Sequence, residues 1–259
     1  MTNQIEILIE QREQFADGHA FEGSGAYEKL TGRAHFTVDP YATAQAGIVD
    51  LDKAPTNDDG LVEFATDLII LKPVDMACGN NRLFFDYGNR GNIRALQFFN
   101  DAPGSNDPAT IDHAGNGFLM RRGYSVVWGA WQGDLLPGDG RMLLDVPIAR
   151  NECGSPITGP VRSEFIVEAK GQTCMPLSSR ASTRSHPTVS LDTEDAILTR
   201  RRYPNDPREP IAADQWAFAR IEGGLGLDNQ GAELAVVPSD THIYLPAGFE
   251  PGWIYEIVY

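Results

Sequence analysis

Two short apolar runs flanking one stretch of helical periodicity, between residues 82 and 134, constrain this chain more than any other feature. Leu83-Phe84-Phe85 reads as a short strand running into the polar loop Tyr87-Gly88-Asn89-Arg90-Gly91-Asn92. Asn106-Asp107-Pro108 offers a cap followed by proline at a first helical position. Ile111, Ala114, Gly115, Phe118 and Leu119 then recur at helical spacing on one apolar face. Arg121 and Arg122 suit the negative end of that helix dipole, and Gly123 suits a left-handed cap. Tyr124-Ser125-Val126-Val127-Trp128 reads as a second strand, leaving through Trp131-Gln132-Gly133-Asp134. Strand, helix and strand in this order predict a βαβ unit with parallel strands. A polar, glycine-bearing loop after a buried strand is where such units place ligand-binding backbone.

The remaining signals are mostly of strands. Gly32 to Val38 alternates and ends at the Asp39-Pro40 turn, and Leu61 to Leu71 reads as a longer strand closed by Pro73. After Pro137 short strands are expected at Met142–Ile148, Val161–Val167, Thr188–Leu191, Trp216–Ile221, His242–Leu245 and Trp253–Val258. Thr193 to Arg202 fits helix or strand equally. The expected class is therefore α/β with a large antiparallel β component. A boundary near Gly138-Asp139-Gly140 divides residues 1–137 from a β-rich region, 138–259. The apolar run Trp253 to Tyr259 stops with no polar tail, which fits either a docked strand or a chain cut short; the cut is the expectation.

Charge narrows the function classes. The 259 residues carry 21 Lys+Arg against 36 Asp+Glu, a net charge of −15, which argues against a nucleic-acid partner. No apolar run is long enough to span a bilayer, so no membrane partner is expected. Cys78, Cys153 and Cys174 show no metal-type spacing and read as reduced thiols. With no basic, apolar leader at Met1 the expectation is a cytoplasmic protein, or a secreted one if the true N-terminus is missing.

A set of longer runs carries a resemblance. These are Gly25 to Pro40, Ile48-Val49-Asp50-Leu51-Asp52, Gly88 to Asn92, Phe98-Phe99-Asn100-Asp101, Gly115-Asn116-Gly117-Phe118-Leu119, Arg122 to Trp128 and Trp131 to Asp134. Together they resemble a large, mostly uncharacterised bacterial family of α/β-hydrolase domain proteins, over nearly the whole chain. The resemblance implies a partial α/β-hydrolase core, with the residue 83–131 unit as its third and fourth strands and the β-rich half as an insertion. It also implies that the chain corresponds to the N-terminal portion only, with nucleophile, acid and base beyond Tyr259.

The residues agree with that gap. A serine hydrolase needs a nucleophile on a strained strand-to-helix elbow, commonly Gly-x-Ser-x-Gly, and no such pattern occurs. Gly23-Ser24-Gly25 has the wrong spacing, and Ser125 lies inside a strand. His19, His35, His113, His186 and His242 form no metal motif. Gly224-Leu225-Gly226-Leu227-Asp228-Asn229 lacks the third glycine of a dinucleotide loop, and no cofactor is implied. The resemblance implies the electrostatic half of a site. By its position after the third strand of that family, the loop Asn89, Arg90, Gly91 and Asn92 would be the oxyanion donor, with the amide of Asn89 or Arg90 facing a substrate carbonyl. Read blandly, it is a turn using glycine for steep dihedrals and asparagine for capping. Trp131, Gln132 and Asp134 would wall the same pocket. The expected function is the N-terminal part of a serine-type hydrolase acting on a small-molecule ester or related acyl bond. The alternative is a non-catalytic β-rich binding or assembly module, and a weaker third option is a carboxylate-pair glycosidase.

Overall fold

The computed structural model describes residues 4–222 and 235–259. The chain divides into two compact units, Met1–Ile157 and Thr158–Tyr259. The Gly224 to Asn229 run lies outside the described residues.

In the first unit β1 (Gln4–Gln14), β2 (Tyr27–Val38), β3 (Val62–Pro73), β4 (Leu83–Asp86), β5 (Ser125–Gly129) and β6 (Leu144–Asp145) form one six-stranded sheet. Its order is β1-β2-β3-β5-β4, with β6 also paired to β3. Alternation of side chains decides what each face buries. Tyr27 of β2, Ile69 and Leu71 of β3, and Val126 and Trp128 of β5 enter the main core. Three short helices, α1 (Ala95–Phe99), α2 (Ile111–Ala114) and α3 (Phe118–Arg121), contribute Ala95, Leu96, Ala114, Leu119 and Met120 to it. Each such side chain contributes roughly 1.5–3 kcal/mol when fully buried, less for alanine. The phenol of Tyr27 reaches through this core to the carbonyl oxygens of Met120 and Tyr124, tying β2 to the end of α3.

The expected α/β class, with a partial α/β-hydrolase core built on a βαβ unit, is not what the chain forms. The protein is β-rich, with 35% of residues in strands and 13% helical, and its sheets are largely antiparallel. The segments expected to pair do so, and β4 runs parallel to β5. Theirs is the one parallel ladder among the described residues; β3 meets β5 antiparallel on its other side. The long helix expected over residues 108–122 is absent for a steric reason. Gly115 (φ 56°) and Gly117 (φ 69°) take left-handed backbone, which splits the apolar face into α2 and α3. A Cβ at Gly115 would lie 2.1 Å from the carbonyl oxygen of Asn100, so the turn there closes onto the α1 end with no room for a side chain. Thr110, not Asn106, caps α2.

In the second unit β7 (Arg162–Ile166), β8 (Cys174–Pro176), β9 (Ile197–Arg201), β10 (Glu209–Ile211), β11 (Ala219–Ile221), β12 (Val236–Pro238), β13 (His242–Tyr244) and β14 (Ile254–Val258) form small antiparallel sheets. The apolar run at the end of the chain is a docked strand. β14 lies between β9 and β7, antiparallel to both, with Tyr255 and Ile257 fully buried. Its other face carries Glu256, held by Arg162 and Arg208. Thr188–Leu191, expected as a strand, is irregular, because the Thr188 hydroxyl donates to the Ser190 carbonyl and closes a local turn.

Candidate functional site

The site is organised by a carboxylate at the end of β4. Asp86 Oδ1 accepts the N–H of Gly88 at 2.8 Å. Its Oδ2 accepts the N–H groups of Arg94 (3.0 Å) and Ala95 (2.8 Å) and the indole N–H of Trp128 (3.0 Å). One side chain therefore anchors the start of the loop, the start of α1 and the neighbouring strand. Charge-assisted bonds of this kind contribute about 1.5–3 kcal/mol each.

The loop beyond it closes on itself. Asn89 N–H donates to the carbonyl oxygen of Asn92 (2.8 Å) and Asn92 N–H donates back to Asn89 (3.0 Å). Between them Arg90 sits in left-handed backbone at φ 55°. Gly91 follows at φ 75°, and a Cβ there would lie 2.8 Å from the carbonyl oxygen of Met142, so the loop can rest on the residue 135–142 segment only with glycine at this place. Asn92 is fixed in turn by the side-chain amide of Asn106 (2.9 Å).

The loop residues and the expected pocket wall do meet. Arg90 N–H donates to Gln132 Oε1 at 2.8 Å, and the Arg90 guanidinium pairs with Asp134 at 3.2 Å. Trp131 stands beside them with its ring exposed. The two amides named from sequence thus differ in role. That of Asn89 is consumed inside the turn, whereas that of Arg90 points at the opposite loop and holds a neutral carbonyl oxygen. On the other side of the loop an open groove of about 310 Å³ runs between β4 and α1, floored by Phe84, Phe98 and Phe99 and reaching Gly88 and Asn89.

Among the described residues the other chemistry-bearing side chains do not form a second catalytic centre. His113 Nδ1 accepts the N–H groups of Ala109 and Thr110 and caps α2. His242 Nδ1 lies 3.1 Å from Thr241 Oγ1 and 3.5 Å from Ser239 Oγ, a serine–histidine proximity that the sequence reading passed over. Burial, and then the charge of Arg220, hold this imidazole below its ordinary value. The contact is local to one turn, and among the described residues no carboxylate is hydrogen-bonded to the ring, so it has the form of a turn cap rather than a triad. Among the described residues no group of three histidine, cysteine or acidic side chains is placed to hold a metal, and the three cysteines are unpaired. Among the described residues no helix is long and apolar enough to cross a membrane.

No family model matches the chain, and no curated protein or solved structure matches it either.

Proposed function

We propose that this chain supplies the oxyanion-stabilising loop and the pocket wall of a serine-type hydrolase acting on an ester or related acyl bond. The observation that carries the reading is the Arg90 backbone N–H donating to the side-chain oxygen Oε1 of Gln132 at 2.8 Å. A backbone N–H already fixed by strained left-handed dihedrals, and bonded to an amide carbonyl, stands where a substrate carbonyl could exchange with the glutamine. As negative charge develops on that oxygen during acyl transfer, the bond strengthens without reorganisation. One such donor is worth about 2.7–4 kcal/mol in the transition state. The Arg90 guanidinium, neutralised by Asp134, orients the loop and leaves the amide as the electrophilic element.

The nucleophile, acid and base are assigned to polypeptide outside these residues, since the sequence holds no elbow motif. The three unpaired thiols fit a reducing, cytoplasmic setting. The second reading, a non-catalytic β-rich binding or assembly module, draws on the groove beside β4.

The test uses the chain as it stands. Amide resonances of isotope-labelled protein are followed while phenylphosphonate, a tetrahedral anion of the right charge, is added. A saturable shift centred on Arg90 and the Gln132 side-chain amide is expected. Shifts confined to other regions, or none, overturn the oxyanion assignment.

A further inference from the structure

Beyond the main core the same face of the first sheet turns polar. Tyr27 of β2 lies in the core, and Arg33, His35 and Thr37 come later on the same face at the strand period of two. Strand pairing sets Glu6, His35, Ala65 and Asp145 in one row across β1, β2, β3 and β6. Thr37 and Glu63 pair in the row on one side, Arg33 and Asp67 in the row on the other. Ala65 stands at the middle of these rows. Its short side chain leaves a hollow of about 510 Å³, with Val146 and Pro147 as a further wall.

The polar groups of this hollow do not satisfy one another. The Arg33 guanidinium stands 3.7 Å from Asp67 and 3.7 Å from Asp145, too far to hydrogen-bond either. Among the described residues three buried side-chain polar atoms lack a hydrogen-bond partner, and two of them are Arg33 Nε and Thr37 Oγ1. Such atoms are rare in folded proteins, and each calls for a partner. Around the hollow Glu6, Glu63 and Asp145 are carboxylates on three separate strands. Set against Arg33, with His35 neutral, they give the lining an excess of negative charge. Neighbouring strands lie about 4.8 Å apart, so these carboxylates are too dispersed to converge on one metal ion. Accordingly, no metal-holding group occurs among the described residues.

We infer that this hollow binds a cationic amino sugar, with its ammonium group toward Glu6 and Glu63 and its hydroxyls over Ala65 between Arg33 and Thr37. The excess of carboxylate selects a cation. The unpartnered Arg33 Nε needs an oxygen acceptor, which a bare polyamine does not have. Held only by long ion pairs, the guanidinium can turn toward a better acceptor. That acceptor is a hydroxyl and not a carboxylate, because a ligand carboxylate at Arg33 would stand beside Asp67 and Asp145. A hydroxyl accepts from Arg33 and donates to a carboxylate at the same time, so a polyol meets both needs. The size of the hollow lies within the range of small-molecule sites. None of these residues belongs to the loop at Asn89 to Asn92, so the inference stands apart from the oxyanion reading.

The probe is glucosamine, added to the isotope-labelled whole chain at neutral pH and constant ionic strength while amide resonances are followed. Saturable shifts centred on Thr37, Ala65 and Asp145 are expected, with a dissociation constant on the order of a few millimolar. N-acetylglucosamine lacks the ammonium and spermidine lacks the oxygens, so each is expected to bind at least about tenfold more weakly. Glu6→Gln and Thr37→Val are each expected to weaken glucosamine binding about threefold. Glu6 is exposed on an edge strand, and valine keeps the branched shape of threonine in a strand, so the fold tolerates both changes. Absence of saturable shifts at these residues overturns the inference, as does binding that neither substitution weakens. Equal binding of spermidine overturns it as general attraction of cations, equal binding of N-acetylglucosamine as a site for neutral sugars, and equal binding of free lysine as a site for zwitterions.

Discussion

The indole N–H of Trp128 donates to the carboxylate of Asp86 at 3.0 Å, joining the end of β4 to the middle of the main core. Trp128 is fully buried, so its ring cannot turn to water for a replacement acceptor. Asp86→Ala leaves this N–H and the amides of Gly88, Arg94 and Ala95 without their acceptor. The expected loss is at least about 3 kcal/mol of unfolding free energy, together with a change in indole emission. Urea unfolding followed by tryptophan fluorescence checks it; a loss under about 1 kcal/mol contradicts it.

Gly91→Ala forces a Cβ to within 2.8 Å of the Met142 carbonyl at a φ of 75°. A cost of about 1–3 kcal/mol is expected, with the loop lifted from the residue 135–142 segment. The accompanying readout is faster hydrogen exchange at the Met142 amide, which now donates to Gly91.

Alkaline unfolding should depend on Tyr27. Burial pushes its phenol up to about 12, so the neutral form is the one the fold holds. The folded value is above the ordinary 10, so this contribution is complete below pH 10 and is lost as pH rises toward 12. Roughly 2 kcal/mol disappears over that window. Tyr27→Phe gives up the bonds to Met120 and Tyr124, costs about 1 kcal/mol at neutral pH, and flattens the alkaline slope. Tyr259, also pushed up to about 12 by burial, preserves part of the slope. Stability measured at intervals from pH 8 to 12 separates the two proteins; identical slopes contradict the assignment.

Glu256 should do the opposite at acid pH. The hydrogen bond from Arg208, aided by Arg162, holds its carboxyl below the ordinary value of 4.5, against the effect of burial. A depressed folded value means that the stabilisation is present above pH 4.5 and fades as pH falls through the folded value. Glu256→Gln is thus expected to destabilise the second unit at pH 7, with the gap to the parent closing below about pH 4. A gap that stays constant down to pH 3 would show that the charge of Glu256 plays no part.

What the sequence disclosed depended on whether the deciding contacts were local. β3 and β14 followed from alternation and apolar runs, because strand identity is written in a period of two. β1 carries the same signal in Gln4-Ile5-Glu6-Ile7-Leu8-Ile9-Glu10 and could have been found by it. The helix over 108–122 failed because its apolar spacing is real while its backbone is interrupted at Gly115 and Gly117. That interruption is decided by the approach of Asn100, fifteen residues earlier in the chain. The loop at Asn89 to Asn92 was legible as a loop, and Gln132 as a neighbour. That Arg90 and not Asn89 offers its amide rests on a contact across 42 residues. No local pattern encodes that.

The central claim is that Gln132 occupies the place of a substrate oxygen on the Arg90 amide. Calorimetric titration of phenylphosphonate into the parent chain and into Gln132→Ala tests it most directly. Removing the internal competitor frees the N–H, so the account predicts several-fold tighter binding by the variant, roughly 1 kcal/mol. Equal or weaker binding by Gln132→Ala contradicts it.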